Sequence, residues 1–166
     1  MEKYYSTRNT NDRVSFSTGV TRGLSPDGGL YVPESFTNID IYDEKYLKMS
    51  YQELAVDILS NFLDGYTKEE VTTFVSEAYG DNFETKDIVP VKTCDKVNFL
   101  ELFRGPTLAF KDMALQILPK FMVAAARKEG ITDEIVVLTA TSGDTGKAAL
   151  EGFANKEGIK IVVFFP

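Results

Sequence analysis

The residues best equipped for chemistry stand in two short segments. The first, Gly105-Pro106-Thr107-Leu108-Ala109-Phe110-Lys111-Asp112, puts a lysine at the start of a stretch with helical apolar spacing. At a helix amino terminus the macrodipole favours Asp112 and disfavours a cation. Such a lysine can snorkel to water, or it can serve as an amine for Schiff-base chemistry, to which the apolar neighbours Ala109, Phe110 and Met113 are suited. The second segment, Thr139-Ala140-Thr141-Ser142-Gly143-Asp144-Thr145-Gly146, is polar and Gly-containing and joins a strand pattern to a helix pattern. Amides and hydroxyls at a helix start can bind an anion, although a turn capped by Ser142 or Asp144 reads the same way. Nucleotide binding of the P-loop kind is excluded by spacing: Thr141 stands where a glycine is required, and Ala148 replaces the hydroxyl residue after Lys147.

Composition narrows the remaining choices. The 166 residues contain no histidine, so Ser-His-Asp and Cys-His catalysis and His-containing zinc sites are excluded within the chain, and no metal ligand set is expected. The one cysteine, Cys94, has neither a disulfide partner nor an activating histidine and reads as a small apolar filler. A net charge of −7, from 18 basic and 25 acidic residues, opposes nucleic acid as a partner. No apolar stretch approaches the ~18 residues of a membrane span. The start, Met1-Glu2-Lys3-Tyr4, lacks the apolar run of a signal peptide, so a soluble cytoplasmic protein is expected.

The elements that must position these segments follow from periodicity and caps. Residues 1–49 read as strands and loops, with β-like runs at 14–16 and 30–32 and a turn at Ser25-Pro26-Asp27-Gly28-Gly29. Capping boxes at Ser50-Tyr51-Gln52-Glu53 and Thr67-Lys68-Glu69-Glu70 open two amphipathic helices, the first running to about residue 63. Residues 88–102 suggest strands around a turn at Thr93-Cys94-Asp95-Lys96. Residues 110–129 suggest one helix kinked at Pro119. A strand at 135–138, the loop at 139–146, a helix at 145–156 and a strand at 159–165 complete an α/β alternation with a parallel sheet. The last strand is almost uninterruptedly apolar, as one buried on both faces would be, and the fold therefore reads as truncated. A soft boundary near residues 80–90 separates a small α+β region, 1–85, from the beginning of a parallel-sheet domain, 86–166.

The lysine octapeptide, with Leu100-Glu101-Leu102-Phe103 before it, resembles the cofactor-lysine segment of threonine synthases, pyridoxal-phosphate (PLP) enzymes of the β-family. The Thr139–Gly146 loop is similar to the Ser/Thr-Gly-Asn/Asp-Thr loop of that family. Tyr5-Ser6-Thr7-Arg8 and Gly23-Leu24-Ser25-Pro26-Asp27-Gly28-Gly29-Leu30-Tyr31-Val32-Pro33-Glu34 resemble the amino-terminal region of threonine synthases. The resemblance implies that Lys111 carries PLP, that Asp144 lies beside the cofactor ring, and that Ser142, Gly143 and Thr145 hold the substrate carboxylate. It also implies conversion of O-phospho-L-homoserine and water into L-threonine and phosphate, with the phosphate-binding residues farther along the chain. A related phospho-lyase releasing a keto acid, or a fragment inactive on its own, fits the same residues. Where many family members have histidine this chain has Arg104, which keeps a donor but is no acid or base near neutral pH.

Overall fold

The computed structural model describes residues 3–165; Met1, Glu2 and Pro166, counted above in the amino-terminal stretch and the second region, lie outside the described residues. The chain divides into two compact units, Met1–Thr73 with Ala124–Ile131 and Phe74–Val123 with Thr132–Pro166. Mixed α/β structure with small sheets runs through it, as the sequence patterns imply. No helix among the described residues is long and apolar enough to cross a membrane.

In the first unit an antiparallel sheet of order β2-β1-β3 joins Tyr4–Ser6 (β1), Arg13–Val14 (β2) and Tyr31–Pro33 (β3). Between β2 and β3 the chain forms a helix, Phe16–Arg22 (α1), where strands and loops are expected from sequence. The correction has a local cause. Ser15 accepts from the Thr18 amide at 3.0 Å, Asp64 Oδ1 accepts from the Phe16 amide at 3.0 Å, and Gly23 closes the helix at φ 70°. The turn before β3 is tied by Asp27, whose carboxylate accepts from the Gly29 amide and from the hydroxyl of fully buried Ser6, each at 2.8 Å. The Gly29 amide, then the Ser6 hydroxyl, hold the Asp27 carboxyl below its ordinary pKa.

Both capping boxes form. Ser50 and Glu53 exchange bonds at the start of Tyr51–Leu59 (α2), as Thr67 and Glu70 do at the start of Lys68–Ala78 (α3). After α2 the chain turns at Gly65, with φ 80°, and Lys128 Nζ donates to the Gly65 carbonyl at 2.6 Å while lying over the Tyr66 ring.

The second unit holds an antiparallel hairpin, Val91–Cys94 (β4) and Val97–Leu100 (β5), then Asp112–Leu115 (α4), and receives most of Leu118–Lys128 (α5). The expected single helix over 110–129 is therefore two. Residue 119 would donate to the Leu115 carbonyl, but proline has no N–H, and the helix breaks at Gln116 and Ile117 before restarting. The freed carbonyl abuts Gly152, where a Cβ would collide with it.

Gly152 belongs to Asp144–Phe153 (α6), the crossover between the parallel strands Ile135–Ala140 (β6) and Ile159–Phe164 (β7). On one face of this strand pair Ile135, Val137 and Ile161 pack against Ala149 and Phe153 of α6. The other face is bare: Leu138 is 66% exposed and Phe164 57%. Within this chain, then, β7 is not covered on both faces as its apolar run suggests; Ile159, Ile161 and Val163 turn inward and Lys160, Val162 and Phe164 outward.

Tyr4 links β1 to the turn that follows α2 by donating to the Phe62 carbonyl at 2.7 Å. Burial first, and then nearby Asp64, push its pKa up to about 12. The unfolded phenol ionises near pH 10, so this contribution is complete below about pH 10 and is lost as the pH rises towards 12. Denaturant melts across that window should show a stability loss that Tyr4→Phe makes shallower; equal slopes would refute the assignment.

Candidate functional site

Lys111 immediately precedes α4, and its carbonyl accepts from the Ala114 and Leu115 amides at 3.1 and 2.9 Å. The side chain is half-buried, with Nζ 4.2 Å from the centroid of the Phe110 ring. Among the described residues no hydrogen bond or ion pair engages the amine.

The residue that fixes this lysine's backbone is the next one. Asp112 is fully buried, and its carboxylate accepts from the Thr107 amide at 2.8 Å and the Thr107 hydroxyl at 2.6 Å. Gly105 makes room for it: a Cβ there would lie 2.6 Å from Asp112 Oδ2 and 2.7 Å from its Cβ. Between them Leu108 takes φ 61°, a left-handed conformation that L residues adopt at a cost, and its amide closes a turn onto the Gly105 carbonyl at 3.1 Å. The Asp112 carboxylate is thus the inner wall of the loop that presents Lys111.

The second segment starts α6. Gly143 is the cap residue and no side chain caps the helix, so neither Ser142 nor Asp144 plays the capping part that their types allow. Ser142, Gly143 and Asp144 are exposed and Thr145 is half-buried. Gly146 lets the helix start sit close, since a Cβ there would be 2.7 Å from Thr141 Cγ2 and 2.8 Å from Val163 Cγ1. The uncapped first turn leaves amides at the positive end of the helix dipole open to an anion.

The two segments are drawn together by packing of α4 on α6 and by Lys147, whose Nζ donates to the Thr107 carbonyl at 3.2 Å. No hydrogen bond or ion pair among the described residues joins Lys111 directly to Ser142, Gly143, Asp144 or Thr145. Thr107, Gly105 and Lys147 join the site without being expected from sequence, and Asp112, which the sequence marks only as a match for the helix dipole, is its centre. No sequence signal points to them, because the pairing of Thr107 with Asp112 needs a positive φ at Leu108.

Arg104 is engaged elsewhere in the unit. It bonds Glu101 at 2.6 Å and Glu84 at 2.7 Å while its carbonyl accepts from the Glu84 amide at 2.9 Å. Glu84 and then Glu101 raise its pKa further above the ordinary arginine range, consistent with a fixed cation that joins two loops. A cavity of about 500 Å3 in the first unit is lined by Lys3, Tyr4, Glu34 and Phe62 among others, and by none of the residues singled out for chemistry.

Residues 3–79 match the family model "Threonine synthase N terminus". Over 99% of its length the chain is 37% identical to a threonine synthase of Methylobacillus glycogenes, and over 99% it is 35% identical to that of Pseudomonas aeruginosa. It superposes on a crystal structure described as PLP-bound threonine synthase from Brucella melitensis with a TM-score of 0.89 and 36% identity, all of this chain being covered. The yeast threonine synthase structure gives a TM-score of 0.89 at 30% identity over 99% of the chain. Along its whole length this chain is similar to the amino-terminal portion of threonine synthases. It spans 36% of the Methylobacillus threonine synthase and 36% of the Brucella threonine synthase structure. The threonine synthase family model covers the turn at Ser25–Gly29, whereas both chemistry-bearing segments fall in the span shared with the longer relatives.

Gly105→Ala tests the inner wall. The added methyl overlaps the Asp112 side chain, and overpacking of this kind should destabilise the fold by roughly 1–3 kcal/mol in a denaturant titration. A neutral substitution would mean that the loop moves aside without cost.

Proposed function

We propose that this chain supplies the cofactor lysine and the substrate-carboxylate loop of a threonine synthase, which converts O-phospho-L-homoserine and water into L-threonine and phosphate with pyridoxal 5'-phosphate. The observation that carries the reading is the pairing, in one unit, of a lysine amine without a polar partner among the described residues and an uncapped helix start. Likeness to threonine synthases along the whole chain supports it.

The donor set fits the group. An amine with no hydrogen bond or ion pair to break is suited to a cofactor aldehyde, and open amides at the start of α6 are suited to a carboxylate. Bound PLP supplies an electron sink next to the substrate's α carbon. Lys111 would have two tasks: to hold the cofactor through its amine, and to move protons at the substrate's α and β carbons. Ser142, Gly143 and Thr145 would orient the substrate through its carboxylate, and Asp144, in the same turn, would help to hold the cofactor. The reading assigns Arg104 no proton transfer, because its guanidinium is committed to Glu84 and Glu101. It also assigns the cofactor phosphate to no residue of this chain, which spans about a third of its relatives' length.

Borohydride reduction of the PLP-loaded native protein, followed by peptide mapping, should find the pyridoxyl group on Lys111; a label confined to other lysines would overturn the reading. Thr145→Val keeps shape but removes a donor, and should weaken binding of O-phosphohomoserine by roughly 1.5–3 kcal/mol, the worth of a hydrogen bond to a charged group. Unchanged substrate affinity in that variant would reduce the loop to a structural turn.

A further inference from the structure

The Lys111 loop is held from two sides by groups that themselves have no chemistry to perform. On the inside, the fully buried Asp112 carboxylate receives both the amide and the hydroxyl of Thr107. On the outside, the Lys147 ammonium donates to the Thr107 carbonyl at 3.2 Å. Thr107 is itself buried, so all three of its polar groups are used by these two residues. Residues 108–111 then have little freedom. Leu108 is fixed at φ 61° although its apolar side chain is 61% exposed, so burial of that side chain does not offset the strained backbone. Strain of this kind persists only where surrounding contacts over-determine the conformation.

We propose that Thr107, Asp112 and Lys147 form a clamp whose role is to position the Lys111 amine, Thr107 and Asp112 from within and Lys147 from the start of α6. They are positioning residues: each acts on Lys111 through the bonds just described. The proposal rests on the reading of Lys111 as the cofactor lysine. It goes further in coupling the two chemistry-bearing segments: Lys147 stands three residues after Asp144, so a shift of the carboxylate loop is transmitted to the carbonyl of Thr107 and hence to the lysine.

The test is the concentration of pyridoxal 5'-phosphate that gives half-maximal borohydride-trapped label at Lys111 in the native protein, mapped peptide by peptide, with Lys120 and Lys160 as internal references. Thr107→Val removes the hydroxyl donor to a buried carboxylate and should raise that concentration about tenfold, while Thr107→Ser should stay within about twofold of the parent. Lys147→Met, at an exposed position where folding is not at risk, should raise it about threefold. Circular dichroism establishes that each variant is folded. Should Thr107→Val fail to fold, Thr107→Ser and Lys147→Met still decide: parent-like labelling in Lys147→Met overturns the clamp, as does a loss of about tenfold in Thr107→Ser. Absence of label at Lys111 in the parent protein would instead overturn the cofactor-lysine reading itself.

Discussion

A carboxylate taken wholly out of water must be met by donors or it unfolds the structure around it, and Asp112 is such a group. Its donors come from a single residue, Thr107, five positions earlier, and that dictates the path between. The chain must double back within a few residues, which demands a left-handed residue at Leu108 and no side chain at Gly105. Lys111 follows from this loop as its last residue, and α4 begins on the carbonyl that Lys111 provides. The helix is too short to be held by its own hydrogen bonds, so its place depends on the buried aspartate and on α6 across from it.

The approach of α6 depends on a second constraint. Pro119 cannot supply the N–H that the Leu115 carbonyl would otherwise take, and Gly152 brings helix backbone against that carbonyl. Proline, usually considered for the helix it interrupts, here shapes the surface on which a neighbouring helix rests. The same helix carries Ala149 and Phe153 into the core beneath β6 and β7, so the start of α6, with its open amides, is set by packing farther along the helix.

How much of this was legible in sequence depended on how local the cause was. The two capping boxes at Ser50 and Thr67 were readable because all their partners lie within four residues. The β6-α6-β7 unit was readable from alternation, to within a few residues at its ends. The helix α1 was not, because Phe16-Ser17-Thr18-Gly19-Val20-Thr21 has weak helix propensity and draws part of its support from Asp64, far along the chain. Lys111 and the Ser142–Thr145 segment stood out by residue type. The Thr107 and Asp112 pairing did not, since it needs a positive φ at a leucine, which no sequence rule anticipates.

The strand pair β6 and β7 carries one further consequence. Its bare face sets Val136, Leu138, Val162 and Phe164 side by side in water, and the hairpin β4-β5 exposes Val91, Val97, Phe99 and Leu100 as well. Attraction between such surfaces is entropic near room temperature and grows on warming. A net charge of −7 opposes it, through a repulsion that added electrolyte screens. Solutions of this chain should therefore be clearest when cold and dilute in salt, and kosmotropic anions such as sulfate, which strengthen apolar burial while screening charge, should cloud them first.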